Sequence, residues 1–326
     1  MSRQCWAAGD ATTRVAGVDQ RATALDRVTL ASLVWGDADD RERPLAVLVH
    51  GFPDTAHTWR HLGPALAAEG YRVVAPFTRG YAPSSLPADG SFHVPALMDD
   101  VLGLHGAFGG DERAVLVGHD WGAITANGIA ASDANPFAAI VSMAVPPFAA
   151  MNPRRDDLWQ WARILPRQAA MSWYTLFNQV PAVPERTFDR LVAHLWRRWS
   201  PGYDAMADLA YLAAALPDAA HRSAAIGYYR AQPRIRSLPA HYAPLARDWV
   251  AEPKVPLLYL QGADDGCLDA RWAGRIGDRL PAGSRVAVIE AAGHFLQLER
   301  PDVVNARILE FLREPRPAVA DVVTHE

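Results

Sequence analysis

Residues 114–128 read AVLVGHDWGAITANG, a buried-strand pattern that turns directly into a helical one. Small residues surround the turn: Gly118 lies two positions before Asp120, and Gly122 and Ala123 follow it. A sharp strand-turn-helix strains its central residue and needs small neighbours on both sides. An aspartate that only capped the helix would need none of them. We therefore predict that Asp120 projects at the end of the strand, beside a helix N-terminus.

The rest of the chain alternates between short apolar runs and helical patterns. Strands are predicted at 28–36, 44–51, 71–80, 113–118, 137–146, 255–262 and 284–291, and helices at 57–70, 94–108, 122–133 and 301–314. The Val/Ile/Leu runs are continuous rather than alternating, which is typical of strands covered on both faces. The pattern predicts an α/β fold with a mainly parallel sheet flanked by helices.

The alternation stops between residues 147 and 243, where Trp-rich and Ala-rich helical stretches replace it. Because strands resume after this segment, we interpret it as a helical cap inserted into the sheet domain rather than as an independent domain. The predicted boundaries are 1–146 and 244–326 for the core and 147–243 for the cap.

The composition of the 326-residue chain, half hydrophobic and 21% charged, is that of an ordinary globular protein with a large core. A net charge of −4 gives no sign of a nucleic-acid partner. Two cysteines, Cys5 and Cys267, cannot form a disulfide framework. Neither a signal peptide nor a membrane span is evident. We expect a cytoplasmic protein without membrane, metal or cofactor partners, and a homodimer is the assembly to test.

A second loop motif, His50-Gly51-Phe52-Pro53, directly follows the strand at 44–51. A glycine-containing turn at this point can aim the Phe52 N–H group at Asp120. Together with the Trp121 N–H group it would form a two-donor oxyanion hole.

Two further loops supply an acid and a base. The sequence GADDG at 262–266 ends a strand, and we favour Asp265 over Asp264 as the acid that orients a histidine. His294 follows the strand at 284–291 and is distinguished from the other histidines by chain order: nucleophile, acid, histidine.

These motifs, in this order, resemble those of the α/β-hydrolase fold enzymes over residues 25–312. More narrowly, the chain resembles the epoxide hydrolase and haloalkane dehalogenase branch, which carries an aspartate nucleophile. The segment TRGYAPSS, at 78–85, is similar to the R-G-Y-G-x-S segment of epoxide hydrolases, although Ala82 replaces its last glycine.

A carboxylate nucleophile selects a particular kind of substrate. Attack on an acyl carbon would give an energetic anhydride, whereas attack on saturated carbon gives an ordinary alkyl ester. The leaving group would be a halide or the oxygen of a strained epoxide. Water activated by His294 would then hydrolyse the ester at Asp120, while Asp265 supports the imidazolium.

The leaving group distinguishes the two reactions. An epoxide oxygen leaves as a basic alkoxide and needs a proton, which tyrosine can hold at neutral pH because its pKa is about 10. Tyr174, in WYTLFNQVPAVPE, and Tyr229, in GYYRAQ, lie in contexts similar to the ring-opening tyrosines of epoxide hydrolases. The resemblance implies that both hold the epoxide oxygen while Asp120 attacks. Tyr228 would take this role if the register differed by one residue.

The preferred interpretation is a cofactor-independent epoxide hydrolase that acts on a small apolar epoxide and water. The predicted pocket contains His50, Phe52, Trp121 and Phe295.

A haloalkane dehalogenase is the alternative, because Trp121 also follows the nucleophile in that family and indole N–H groups bind halide. Further indoles could come from five cap tryptophans: Trp159, Trp161, Trp173, Trp196 and Trp199. The arginines that haloacetate dehalogenases place after the nucleophile are missing from DWGAI. A non-catalytic, ligand-binding homologue is the third interpretation, and the complete triad argues against it.

Overall fold

A computed structural model describes residues 18–314, and eight strands in this part of the chain form one sheet. In chain order they are β1 (Asp19–Ala24), β2 (Thr29–Trp35), β3 (Leu45–Val49), β4 (Arg72–Pro76), β5 (Val115–His119), β6 (Ala139–Met143), β7 (Leu257–Gly262) and β8 (Arg285–Ile289). Their order across the sheet is β1-β2-β4-β3-β5-β6-β7-β8. β2 is antiparallel to both of its neighbours, and all other pairs are parallel. The predicted mainly parallel α/β sheet is confirmed.

Helices flank this sheet and fill the long connection between β6 and β7. The α-helices are α1 (Leu62–Ala68), α2 (Val94–Ala107), α3 (Trp121–Ala131), α4 (Phe148–Met151), α5 (Leu158–Met171), α6 (Trp173–Phe177), α7 (Val183–Arg186), α8 (Phe188–Trp199), α9 (Met206–Ala215), α10 (Ala219–Ala231), α11 (Ala273–Ile276), α12 (Leu296–Glu299) and α13 (Pro301–Leu312). Short 3-10 helices lie at Ala56–Arg60, Gln232–Ser237, Ala240–Leu245, Asp248–Val250, Ala270–Trp272 and Gly277–Arg279. None of the helices within residues 18–314 has the length and apolarity needed to cross a lipid bilayer.

We call α4–α10 the inserted helices, because they interrupt the sheet between β6 and β7. The predicted helical character of this segment is confirmed, and no strand occurs in it. The exact cap boundaries at 147 and 243 stay a prediction.

The sequence patterns missed one strand and misjudged one helix. β1 reads DQRATA, and its exposed, polar residues lack an apolar run, because it is an antiparallel edge strand against β2. The helix predicted at 57–70 is a 3-10 helix, Ala56–Arg60, followed by α1. Pro64 explains the break, since its ring would collide with the Arg60 carbonyl in a continuous α-helix.

The five central strands, β3 to β7, are buried along their whole lengths, which explains their continuous apolar sequences. β5 lies between β3 and β6 in the middle of this group. The residue that follows β5 therefore projects at the centre of the sheet's carboxyl edge, where α/β proteins place their ligands.

Asp120 is that residue, and its backbone has φ 52° and ψ −114°, a conformation that is strained for a residue with a side chain. The turn is possible because two of the residues around Asp120 are glycines, which have no side chain. A Cβ atom at Gly118 would overlap the Gly122 backbone, and one at Gly122 would overlap the Val49 carbonyl. The strand and the helix can approach this closely only where both positions are glycine.

Asp54 is a buried carboxyl on the loop after β3, two residues beyond Phe52. Its Oδ1 accepts a 2.7 Å hydrogen bond from the Thr55 N–H group, while Oδ2 has no hydrogen-bond partner among residues 18–314. Burial, together with the nearby charge of Asp208, raises the pKa of Asp54 to about 7. Asp208 is itself held by Arg60, at 2.7 Å, and this ion pair joins the loop region to α9.

We predict that Gly122→Ala destabilises the protein, because the added methyl group meets backbone that cannot move aside. Overpacking of this kind costs about 1–3 kcal/mol or more in the free energy of unfolding, measured by urea denaturation. The matched control is Gly106→Ala in α2, where a Cβ atom meets nothing within 4 Å. That variant should gain about 0.4–1 kcal/mol. Wild-type stability in Gly122→Ala would contradict the steric explanation.

We also predict that Asp54→Asn changes how stability depends on pH. Since the folded-state pKa of Asp54, about 7, exceeds its ordinary value of 3.8, folding retains a proton that the unfolded chain releases. This group's contribution is therefore complete below pH 3.8 and is lost as pH rises towards 7. Asparagine does not titrate, so the variant's stability relative to wild type should rise across this window, by up to about 4 kcal/mol. Urea unfolding at several pH values measures the difference, and a constant difference would refute the argument.

Candidate active site

The two carboxylate oxygens of Asp120 have different neighbours. Oδ1 accepts a 2.7 Å hydrogen bond from the Phe52 N–H group, and Oδ2 lies 3.6 Å from His294 Nε2. The side chain is buried at the sheet edge. Oδ1 is thus fixed by the loop after β3, whereas Oδ2 faces the imidazole of His294.

The Phe52 N–H group therefore lies where the sequence predicts the first oxyanion donor. The second predicted donor, the Trp121 N–H group, lies against Gly51 on the same loop, because a Cβ atom at Gly51 would overlap both Asp120 Oδ1 and Trp121 N. This is why the loop needs glycine at position 51. The role of the two groups in an oxyanion hole stays a prediction.

His294 and Asp265 form the second pair. His294 Nδ1 lies 3.0 Å from Asp265 Oδ2, while Asp264, the other candidate, is exposed. Asp265 also accepts the N–H groups of Cys267, at 2.6 Å, and Leu268, at 3.0 Å. The amide of Gln261 donates to Oδ2 at 2.9 Å. These bonds fix the orientation of the Asp265 carboxyl group, and its Oδ2 accepts a hydrogen bond from Nδ1 of His294, so Nδ1 is a nitrogen that carries a proton.

Burial and the neighbouring groups shift the pKa of His294 in opposite directions. Burial alone would lower this pKa, but Asp265, Cys267 and the contact with Asp120 raise it well above its ordinary value. Nε2 makes no hydrogen bond within residues 18–314. This nitrogen is therefore the one that can exchange a proton with a molecule in the site.

The two tyrosines predicted from the sequence lie on the inserted helices α6 and α10, and their rings pack together close to the residues beside Asp120. The Tyr229 ring packs edge-on against Phe52 and Trp121, each with a centroid separation of 5.1 Å. The Tyr174 ring packs edge-on against Tyr229 at 5.6 Å. Burial raises the pKa of both phenols well above the ordinary value, and the charge of Asp120 raises them further. Both therefore hold their protons at neutral pH.

The two hydroxyls differ in their partners. The Tyr174 hydroxyl lies 3.3 Å from Cys267 Sγ, whereas the Tyr229 hydroxyl has no hydrogen-bond partner in the described part of the chain. Tyr228, the register alternative, donates its hydroxyl to the Arg79 carbonyl at 2.8 Å. Its contacts are those of a packing residue, so the geometry favours Tyr229.

His50, which the sequence places in the pocket, instead joins two loops. Its Nε2 accepts the Thr78 N–H group at 3.0 Å, so Nδ1 carries the proton and donates to the Gly51 carbonyl at 2.9 Å. Burial lowers the pKa of His50 to about 4, which keeps the Nε2 lone pair free for Thr78. His50 thereby fixes the loop that carries Phe52. Whether it also touches substrate stays a prediction.

Phe295, the other predicted pocket residue, is fully buried and stacks on Trp196 with a centroid separation of 3.5 Å. The Trp196 indole donates to the Pro53 carbonyl at 2.9 Å. These contacts support the loop after β3 from the side of α8. Direct contact of Phe295 with substrate is untested.

The C-terminal end of α8 joins the loops of both His294 and its acid. The Trp199 carbonyl accepts the N–H groups of His294, at 2.9 Å, and Gly266, at 3.2 Å. Side chains at Gly266 or Gly293 would overlap the backbone at this end of α8, so glycine allows the close approach. We call these two hydrogen bonds to the Trp199 carbonyl the α8 clasp. The sequence did not predict it, because a main-chain carbonyl acceptor can belong to any type of residue.

Cys267 is the other site residue that sequence reasoning missed, although it lies only two positions after Asp265. It is a free, buried cysteine, whereas Cys5 lies outside the described residues. Ligand atoms of Asp120, Cys267 and His294 all lie within 4.8 Å of one another. These three residues could hold a metal ion, and their wide spacing in the sequence gave no sign of it.

Comparisons with known proteins agree with this geometry. Residues 44–301 match the family model for the alpha/beta hydrolase fold. The chain is 32% identical to epoxide hydrolase A of Mycobacterium tuberculosis, over 85% of this chain and 92% of that protein. It is 30% identical to an epoxide hydrolase of Caballeronia sordidicola, over 83% and 88% of the two chains.

A solved structure is similar over nearly the whole chain. The crystal structure of epoxide hydrolase A from Mycobacterium thermoresistibile superposes with a TM-score of 0.66 at 27% identity, covering 91% of this chain and 98% of that one. The family match, the sequence relatives and the order of nucleophile, acid and histidine agree. This chain therefore belongs to the α/β-hydrolase fold family, in the branch that contains the epoxide hydrolases.

Proposed function

We propose that the protein hydrolyses an epoxide to a vicinal diol through a covalent alkyl ester on Asp120. The observation that carries this proposal is that two buried, protonated phenols, Tyr174 and Tyr229, are close enough to Asp120 for its charge to raise their pKa values, while Asp120 Oδ2 lies 3.6 Å from His294. The names of the relatives, which are epoxide hydrolases, support the same reaction.

The first step opens the ring. Asp120 Oδ2 attacks one epoxide carbon, the carbon–oxygen bond breaks, and the departing oxygen takes a proton from a tyrosine hydroxyl. A phenol whose pKa is raised by burial stays protonated until the more basic alkoxide develops. The Tyr229 hydroxyl has no hydrogen-bond partner among residues 18–314, whereas the Tyr174 hydroxyl shares a hydrogen bond with Cys267 Sγ.

The second step hydrolyses the ester. His294 takes a proton from water, and the resulting hydroxide adds to the carboxyl carbon of Asp120. Oδ1 becomes the oxyanion, and the Phe52 N–H group already donates to it. Collapse of this intermediate releases the diol, which recovers its proton from His294, and restores the carboxylate with an oxygen atom from water.

A change in the charge of Asp120 during the reaction alters the pKa of His294 at the step where this histidine acts as a base. Before attack, the carboxylate helps to raise the pKa of His294. Esterification neutralises Asp120 and removes that contribution, so the histidine pKa falls when a neutral base is needed. The tyrosinate left by ring opening regains a proton before the next turnover.

The aromatic rings of Phe52, Trp121 and Tyr229, which pack together beside Asp120, favour a small apolar epoxide as the substrate. One observation supports haloalkane dehalogenation as the second candidate: the buried Trp121 indole N–H group has no hydrogen-bond partner among residues 18–314. The Trp196 indole, however, is occupied by the Pro53 carbonyl. The cytoplasmic location and a homodimer stay predictions.

The decisive experiment offers the protein styrene oxide and a 1-haloalkane in parallel, with a single turnover of the epoxide in ¹⁸O water. We expect diol formation and ¹⁸O in the peptide that contains Asp120. Asp264→Asn, which alters an exposed carboxyl next to Asp265, is the matched control and should acquire the same label. Halide release without diol, or an unlabelled Asp120 peptide after turnover, would overturn the proposal.

We predict that the double variant Tyr174→Phe/Tyr229→Phe lowers kcat for the epoxide by about 10²- to 10⁴-fold, because both proton donors are removed. Each single variant should lose less, since one phenol remains. Tyr228→Phe is the control: it removes the hydrogen bond to Arg79 and should cost about 1 kcal/mol of stability with kcat nearly unchanged. Steady-state kinetics would refute the assignment if the double variant retained wild-type kcat.

A further inference from the structure

Three side chains with different donor atoms converge at the carboxyl edge of the sheet. Asp120 follows β5, Cys267 follows β7 and His294 follows β8. Their carboxylate, thiol and imidazole atoms all lie within 4.8 Å of one another, and all three residues are buried. The hydrolysis described above uses the carboxylate and the imidazole but assigns nothing to the thiol.

One nitrogen of the His294 imidazole has no partner in the described part of the protein and is available to bind a ligand. His294 Nε2 is fully buried and has no hydrogen-bond partner among residues 18–314. Its 3.6 Å separation from Asp120 Oδ2 is close to the spacing of about 3.3 Å between neighbouring ligands of tetrahedral zinc. The Cys267 thiol would complete the group after a movement of about 1 Å, less than a change of rotamer produces.

The donor set discriminates between metals. One thiolate, one imidazole and one carboxylate suit Zn²⁺ or Cd²⁺, whereas Mg²⁺ and Ca²⁺ require a set of oxygen ligands. Three protein ligands leave a fourth tetrahedral position for water.

The surroundings of the three ligands are also those of a metal site. His294 shares its other ring nitrogen with Asp265, which orients the imidazole so that Nε2 faces the site. Asp265 in turn fixes the Cys267 main chain through a 2.6 Å hydrogen bond. One carboxylate therefore orients two of the three ligands.

We propose that Asp120, Cys267 and His294 form a binding site for Zn²⁺ or Cd²⁺ and that the bound ion inhibits the enzyme. When the ion binds, the Cys267 thiol and the protonated His294 imidazole each release a proton to solvent, and the hydrogen bond between Cys267 and Tyr174 breaks. No group is oxidised or reduced. The ion occupies both the nucleophile and the base, so it and the substrate exclude each other. Inhibition rests on the proposed function, whereas binding does not.

Binding is tested by titrating Cd²⁺ into the full-length protein and following the ultraviolet sulfur-to-cadmium charge-transfer absorption, with calorimetry for Zn²⁺. We expect one ion per chain in the wild type. Cys267→Ala and Cys267→Ser should lose the absorption band and bind at least about tenfold more weakly. Cys5→Ala, which removes the only other cysteine of the chain, is the matched control and should bind like the wild type.

Circular dichroism confirms that each variant is folded, and Cys267→Ser preserves the size of the side chain if alanine disturbs the loop. The proposal is overturned if the wild type shows no charge-transfer band, if the band survives in folded Cys267 variants, or if it disappears in Cys5→Ala.

Inhibition is measured with the epoxide as substrate. Zn²⁺ should inhibit competitively and reversibly, with activity restored by a chelator, while Mg²⁺ at the same concentration has no effect. Binding without inhibition would overturn the inhibitory part of the proposal. If no epoxide is turned over at all, the proposed function fails, and the cadmium titration still decides whether the metal site exists.

Discussion

The structure depends on one steric constraint, the near-contact of strand and helix backbones around Asp120. Glycine at positions 118 and 122 lets β5, α3 and the end of β3 approach more closely than any side chain would permit. The resulting turn holds Asp120 at φ 52°, a conformation that the isolated chain would avoid. Burial of the central strands supplies the stability that maintains this strain. Asp120 is therefore positioned by the close approach of backbone at the centre of the sheet.

The electrostatic arrangement follows from that position. Asp120 and Asp265 lie on opposite sides of one imidazole, at 3.6 Å and 3.0 Å from its two nitrogens. The contact with Asp120 raises the pKa of His294, and the charge of Asp120 raises the pKa of the Tyr174 and Tyr229 phenols. In the proposed reaction, ester formation neutralises Asp120, so one chemical event changes the proton affinity of all three groups together.

The sequence predicted the site best for residues that combine a reactive side chain with a position directly after a strand. Parallel strands bring their carboxyl ends to one edge, so Asp120, Asp265 and His294 could be grouped from their positions after strands. Tyr174 and Tyr229 were identified only by resemblance, since periodicity does not separate Tyr229 from its neighbour Tyr228. The exposed edge strand β1 lacked an apolar signal. The spacing of residues along the chain does not show where a side chain points. The sequence therefore predicted neither the position of Cys267 beside Asp120 and His294 nor the hydrogen bonds of His50 to the main chain.

The clasp between α8 and the two loops limits how a molecule can enter. The Trp199 carbonyl holds the histidine loop and the acid loop together, so this end of the inserted segment belongs to the reaction scaffold. Moving α8 outward would break those bonds and displace His294. We therefore expect substrate to enter through movement of α6 and α10, which carry Tyr174 and Tyr229, while α8 stays in place.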